Sequence, residues 1–502
     1  MDTLSNLLMG FSVALTPVNL LFCLLGVVMG TLIGALPGIG PSAGVAILLP
    51  VTFGMSPVTS IIMLCGIYYG AMYGGTITSV LINVPGESSS VMTAVDGYQM
   101  ARKGRAGAAL GIAAIGSFLA GTGGVVIFTF LAPLIARFAL SFGPPEYFAL
   151  MILGLTTLSG LTGRSMWKSL AAAAFGLMLS FVGMDIVTGV ARFTFHRPDL
   201  LSGVDFLPVA IGLFGVGEVL ASAESPAELE ITRADLSLRK VFPTMADWVR
   251  SRRSILRGGV IGFLIGSLPG AGATMASFIS YAVEKKSSRH PEEFGQGAIE
   301  GVAGPESANN SASVGALVPL LTLGVPGSAT TAVMMGALMM YGLHPGPLLF
   351  QKNPDFVWGL VASMYIGNVL LVILNIAFIP AFVNVLRIPQ RILSPLIVVF
   401  CMVGAYTLDN NLFDVWLMLL FGVLGYLMKK LDYPPAPLVL ALVLGNLVET
   451  SLRQSLIISG GSMAIFVTRP ISAVLLAIAA AVLLAPALRS LGRVIRVRAS
   501  RA

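Results

Sequence analysis

The chain has 502 residues, of which 56% are Ala, Val, Ile, Leu, Met, Phe, Trp, Tyr or Cys and only 11% are Asp, Glu, Lys or Arg, against about 25% charged residues in a soluble domain. With a mean hydropathy of +0.89, these proportions exclude a soluble enzyme, a disordered protein and a nucleic-acid binder, and leave an integral membrane protein. The net charge of +7, from 30 basic and 23 acidic residues, fits cytoplasmic loops facing anionic lipid better than it fits ligand binding.

Apolar tracts follow one another at 19–36, 43–53, 58–82, 106–140, 146–161, 167–190, 204–222, 258–283, 311–341, 355–386, 390–408, 412–428, 434–449 and 470–490. At about 20 residues per crossing they allow about 10–14 hydrophobic segments. They do not alternate polar and apolar as barrel strands would, so the fold class is all-α. Met1-Asp2-Thr3 lacks the positive start of a cleaved signal, and the first apolar run is expected to be retained. Cys23, Cys65 and Cys401 lie in apolar runs, and His196, His290 and His344 are far apart, so no disulfide frame, structural metal or cofactor is expected. The long polar stretch 223–257 holds Arg233, Arg239, Lys240, Arg250, Arg252, Arg253 and Arg257. It is expected in the cytoplasm, with the tail that carries Arg489, Arg493, Arg496, Arg498 and Arg501.

An internal repeat organises the chain. Gly30-Thr-Leu-Ile-Gly-Ala-Leu-Pro-Gly-Ile-Gly40 recurs as Gly262-Phe-Leu-Ile-Gly-Ser-Leu-Pro-Gly-Ala-Gly272, with eight of eleven positions identical. Val84-Pro85-Gly86 echoes Val325-Pro326-Gly327, Pro133 echoes Pro380, and Phe175-Gly176 echoes Phe421-Gly422. The expected organisation is a first transmembrane repeat over 1–221, a basic connecting loop over 222–257, a second repeat over 258–452, and a last transmembrane segment with a basic tail over 453–502. Basic residues swap sides between equivalent loops. Arg102, Lys103 and Arg105 face only Lys352, whereas the uncharged loop near 51–57 faces Lys285, Lys286 and Arg289. That swap is the mark of inverted topology.

The chemistry sits where the tracts break. Leu36-Pro37-Gly38-Ile39-Gly40 and Leu268-Pro269-Gly270-Ala271-Gly272 interrupt apolar runs. Proline removes a backbone donor and glycine frees the chain, so each tract is expected to fold as a re-entrant hairpin, the second with arms 258–268 and 273–283. Backbone broken at membrane depth is tolerated only inside protein or along a watery cavity, and paired breaks point to a transport site. The plainer reading is two packing kinks. A second motif pair, Asn83-Val-Pro-Gly86-Glu-Ser88-Ser89-Ser90 and Gly324-Val-Pro-Gly327-Ser328-Ala-Thr330-Thr331, places hydroxyls at helix starts. There free N–H groups and the helix dipole favour an anion, although the same residues serve as ordinary N-caps. The expected substrate-binding set is therefore Gly38, Gly40, Ser42, Asn83, Gly86, Ser88, Ser89, Ser90, Gly270, Gly272, Thr274, Gly327, Ser328, Thr330 and Thr331. Glu306, Asn309 and Asn310 precede an apolar run. A charge at the bilayer centre costs roughly 2.5–3.5 kcal/mol on insertion scales, so these residues, with Asp96, are the expected coupling-ion site for Na+ or H+. Gly40-Pro-Ser42-Ala-Gly44 fits a hydrolase nucleophile elbow, but in a membrane tract and without a histidine partner no enzyme is expected.

At these residues the chain resembles the large membrane subunit of the tripartite tricarboxylate transporters. The stretches that carry the resemblance are Gly30–Pro50, Tyr68-Tyr-Gly-Ala-Met-Tyr73-Gly-Gly75, Asn83–Gly107, Gly262–Lys286 and Phe294–Pro347. It implies a bacterial inner-membrane secondary transporter, driven by a cation gradient and taking up carboxylates such as citrate. It further implies two partners, a small transmembrane subunit and a periplasmic solute-binding protein. An autonomous ion-coupled carboxylate carrier, a channel and a membrane hydrolase are the alternatives.

Overall fold

The computed structural model describes residues 3–36, 39–161, 165–185, 188–224, 241–270, 272–379 and 390–499. Numbering helices of eight residues or more, the first half forms α1 (Thr3–Ala14), α2 (Pro17–Ala35), α3 (Gly40–Leu48), α4 (Pro57–Ile82), α5 (Val91–Arg102), α6 (Ala106–Ala139), α7 (Pro144–Leu161), α8 (Met166–Ser180) and α9 (Phe206–Glu224). Two short strands, β1 (Gly183–Met184) and β2 (Ala191–Arg192), pair antiparallel before α9. The second half forms α10 (Met245–Gly266), α11 (Gly272–Ser287), α12 (Glu300–Leu323), α13 (Ala329–Met340), α14 (Pro354–Ala377), α15 (Gln390–Asp409), α16 (Leu412–Lys430), α17 (Ala436–Ile458) and α18 (Pro470–Ala499). Among the described residues, seven helices are long and apolar enough to cross a membrane and six more are shorter and apolar. The chain is thus an all-α multi-pass membrane protein within the expected number of segments.

The chain folds as two compact units, and each draws on both halves of the sequence. One comprises 1–139 and 205–431, the other 140–204 and 432–502.

In the first unit, glycines set the helix contacts. A Cβ added at Gly26, Gly30 or Gly34 of α2 would stand 2.3, 2.3 or 2.1 Å from the carbonyl oxygens of Met63, Ile67 and Ala71 on α4. The second half repeats this design: Gly258, Gly262 and Gly266 of α10 meet the carbonyls of Gly304, Ala308 and Ala312 on α12 at 2.3, 2.2 and 2.3 Å. Small residues four apart let two backbones touch, which is how helices associate where no hydrophobic force separates lipid from protein. In both pairs the partner's number rises in step with the glycine's, so the paired helices run parallel. Between parallel neighbours the chain must come back. Helix α3 with the 3₁₀ turn Leu49–Thr52 makes that return in the first half, and α11 makes it in the second. The second of these breaks has longer arms than the sequence suggests. The outer arm of the second begins at Met245, in a polar segment invisible to hydropathy, where Thr244 and Asp247 form a capping box.

Helices α6 and α14 run the other way. Gly121 faces Asn368, and Thr129 hydrogen-bonds Tyr365 at 2.9 Å, while Ser117 shares a cavity with Asn375. One number rises as the other falls, so these helices are antiparallel.

Charges of the expected connecting loop turn out to be partly spent inside the protein. Arg250 bridges Glu293 and Glu300 at 2.8 Å each, and Arg257 pairs with the buried Glu284. The Arg250 hydrogen bond holds the Glu293 carboxyl below the usual range. Arg233, Arg239, Lys240 and Arg501 lie outside the described residues.

In the second unit, Gly176 of α8 lies against the Leu438 carbonyl on α17. The apolar tract expected over 167–190 is shorter than that: α8 stops at Ser180 and the β1–β2 hairpin follows. Arg192 and Arg453 clasp Asp185 and Glu449 there, so the polar residues that interrupt the tract form an ion-pair network.

Candidate functional site

The site is built where the breaks meet, within the first unit. Pro37, Gly38 and Ala271 fall outside the described residues. Beyond each gap the helix restarts on a glycine in the left-handed region, Gly40 at φ +65° and Gly272 at φ +63°, a conformation that glycine adopts at no steric cost. Likewise α4 and α12 stop on left-handed residues, Asn83 at φ 55° and Gly324 at φ 70°. The Val-Pro-Gly that follows each cannot extend the helix. Gly86 packs on the last turn of α2, its Cβ position 2.1 Å from the Gly34 carbonyl. Gly270 donates its N–H to the Gly327 carbonyl at 3.0 Å. The halves then touch through hydroxyls: Ser88 and Thr274 at 2.8 Å, and Tyr68 and Ser328 at 3.4 Å.

The two helix starts differ in their side chains. At α13, Ser328 and Thr331 form a reciprocal cap: Ser328 Oγ accepts from the Thr331 N–H at 3.3 Å, and Thr331 Oγ1 accepts from the Ser328 N–H at 2.8 Å. Ahead of α5, the single 3₁₀ turn Ser88–Ser90 that leads into the helix is capped by Glu87. Its N–H bonds Ser90 Oγ, and the Ser89 hydroxyl donates to its carboxylate. The helix start of the first half thus carries a buried acidic side chain of its own, whereas α13 begins on neutral hydroxyls. The start of α13 presents hydroxyls and backbone, and the start of the first-half helix an acidic group in addition.

Glu306, Asn309 and Asn310 lie within α12 rather than before it, at 0%, 0% and 3% exposure. The helix reaches back over them because its parallel contact with α10 begins at Gly304. Thr93 donates to Glu306 Oε1 at 2.5 Å and Asn309 Nδ2 approaches Oε2 at 3.4 Å. Asn310 Nδ2 donates to Ser117 Oγ at 2.7 Å. Among the described residues, no Lys, Arg or His forms an ion pair with Glu306 or Glu87. A carboxyl group so placed is costly to bury.

A family model described as the tripartite tricarboxylate transporter TctA family matches residues 20–440. The chain belongs to that family. It is 50% identical over 493 residues to a 52.8 kDa Agrobacterium vitis protein named for the TAR-I ttuC′ 3′ region, covering 98% of each chain. A second A. vitis protein, named for the TAR-II ttuC′ 3′ region, is 51% identical over 215 residues, which is 43% of this chain and 89% of that one. No solved structure matches. TctA membership makes the chain the large subunit of a tricarboxylate transporter.

Of the residues expected at the TctA site, Gly270, Gly272, Thr274, Ser88, Gly327 and Ser328 come together. Asn83 is an exposed helix stop and Ser42 sits in the first turn of α3. Asp96 does other work. Its Oδ1 accepts the N–H groups of Gly295, Gly297 and Ala298 at 2.8, 2.8 and 2.9 Å, and its Oδ2 accepts the Tyr281 hydroxyl at 2.9 Å, so it fixes the loop leading into α12. Sequence reasoning missed Tyr68, Thr93 and Ser117 as chemical partners. Tyr68 lay in the resemblance, but nothing local links any of the three to a partner hundreds of positions away.

Proposed function

We propose that the chain is the membrane carrier of a binding-protein-dependent secondary transporter that imports tricarboxylates or related carboxylates across a bacterial inner membrane. A periplasmic solute-binding protein delivers the substrate, a small transmembrane subunit completes the assembly, and a Na+ or H+ gradient drives uptake. The observation that carries this reading is the meeting of Gly270 and Thr274 with Gly327, Ser328 and Ser88 beside the start of α13. Backbone N–H groups, hydroxyls and a helix dipole converge there, as an anion needs. The acidic side chain of Glu87 disfavours the start of α5 for the same role.

Glu306, with Asn309 and Asn310, is the proposed coupling site. The antiparallel run of α6 and α14, which carry the equivalent Pro133 and stretch before Pro380, supports two repeats of inverted topology. The sorting of the chain into two units drawn from both halves supports an elevator-type motion. Uptake of labelled carboxylates into proteoliposomes, with and without a binding protein and under Na+ or H+ gradients, tests the reading. No saturable uptake under any condition defeats it. Glu306→Gln keeps an acceptor for Thr93 and removes the charge, and is expected to give folded protein that no longer couples uptake to the gradient.

A further inference from the structure

Between α4, α6 and α14 lies a cavity of about 10 Å³ lined in part by Tyr73, Thr76, Ser117 and Asn375, room for one water-sized particle. Its polar lining leads to Glu306. The Ser117 hydroxyl reaches the Glu306 carbonyl at 3.2 Å, and Thr76 stands within hydrogen-bonding reach of the carboxylate. Tyr73 is 3% exposed, and its hydroxyl has no hydrogen-bond partner. A buried hydroxyl left in that state costs about 1–3 kcal/mol, so its position calls for an occupant. The groups offered are neutral oxygens, with a carboxylate behind them. Glu306 itself accepts from Thr93 and Asn309.

We propose that this cavity is the binding site for one dehydrated Na+ ion, held by the oxygens of Tyr73, Thr76, Ser117 and Asn375 and balanced by Glu306. Hard monovalent and divalent cations take oxygen ligands, and a site of this size admits a single ion stripped of its shell. The assignment rests on the reading of the chain as an ion-coupled carrier and names the ion and its place.

The test is calorimetric titration of the purified full chain in detergent with NaCl, with KCl and choline chloride as controls. Tyr73→Phe removes the unpartnered hydroxyl, and Ala114→Leu fills the cavity from the α6 side, where Ala114 also lines it. Saturable binding specific to Na+ is expected in the unaltered protein, about tenfold weaker in Tyr73→Phe and lost in Ala114→Leu. Unchanged Na+ binding in both variants overturns the site. So does the absence of Na+-specific heat in the unaltered protein, which leaves the cavity to a structural water. Uptake measured on the same preparation separates the two levels. Proton-driven carboxylate uptake without Na+ binding defeats the Na+ site alone, whereas Na+ binding without uptake under any gradient defeats the transport reading.

Discussion

Ser88 and Thr274 touch through their hydroxyls at 2.8 Å although 186 positions separate them in the chain. One precedes α5, behind the Pro-Gly break of the first half. The other lies in the first turn of α11, behind the hairpin break of the second. The contact therefore joins two unlike parts of the repeated unit, and the substrate path proposed here runs past it.

Paired cysteines test whether that contact must open. The double variant Ser88→Cys, Thr274→Cys brings two thiols within range of a disulfide, whose Cβ atoms stand about 3.8 Å apart. The native Cys23, Cys65 and Cys401 are buried and give a quiet background. Oxidation is expected to stop uptake and reduction to restore it. Full uptake by the oxidised, cross-linked protein would remove this contact from the transport cycle.

The acidic side chain at one helix start and the neutral hydroxyls at the other predict unequal responses to hydroxyl removal. Thr330→Ala, at the neutral start of α13, is expected to raise the KM for carboxylate uptake about tenfold, the scale of one hydrogen bond to a charged group. Ser89→Ala removes a donor to Glu87 and is expected to weaken uptake with little change in KM. Normal uptake in both variants would sink the site assignment.

The hairpin breaks were legible in the sequence because Pro-Gly in an apolar tract has one physical consequence, and the repeat exposed them twice. The glycines at 26, 30, 34 and at 258, 262, 266 were visible as letters, but their meaning depends on α4 and α12, which no local pattern names. Helix α1 was missed because Thr3–Ala14 is too short to register as a crossing, and the start of α10 because basic residues hid it. The proposed coupling cluster is half legible. Glu306 stood out as a charge in an apolar region, while Thr93, Ser117 and Tyr73 arrive from other helices. Nothing in the sequence around Glu87 marks it as interior, yet it is buried beside Gly75.

The parallel helix pairs predict equal damage at equivalent positions. In Gly30→Ala the new methyl would lie 2.3 Å from the Ile67 carbonyl oxygen, and in Gly262→Ala 2.2 Å from that of Ala308. Backbone cannot give way as a side chain can, so each change is expected to cost about 1–3 kcal/mol or more. Gly123 of α6 has open space at its Cβ position, and Gly123→Ala is expected to be neutral or stabilising by about 0.5–1 kcal/mol. Thermal unfolding in detergent reads all three. A neutral Gly30→Ala or Gly262→Ala would contradict the backbone contact.

Asp247 predicts a pH dependence outside the membrane segments. Burial pushes this carboxyl up, but the Arg105 guanidinium and the hydroxyl and N–H of Thr244 outweigh it and hold it below the usual range. A carboxyl lowered in the folded state adds stability above its unfolded value of about 3.9, and that stability disappears as the pH falls through the folded value. Asp247→Asn keeps the shape and loses the charge. It is expected to be about 1 kcal/mol less stable than the unaltered protein at neutral pH, the scale of a lost helix cap, and the gap is expected to close below about pH 4. Unfolding temperatures of the two proteins, compared from pH 7 to pH 3, check both the size and the closing. A gap that stayed constant over that range would show that the Asp247 charge takes no part in holding the start of α10.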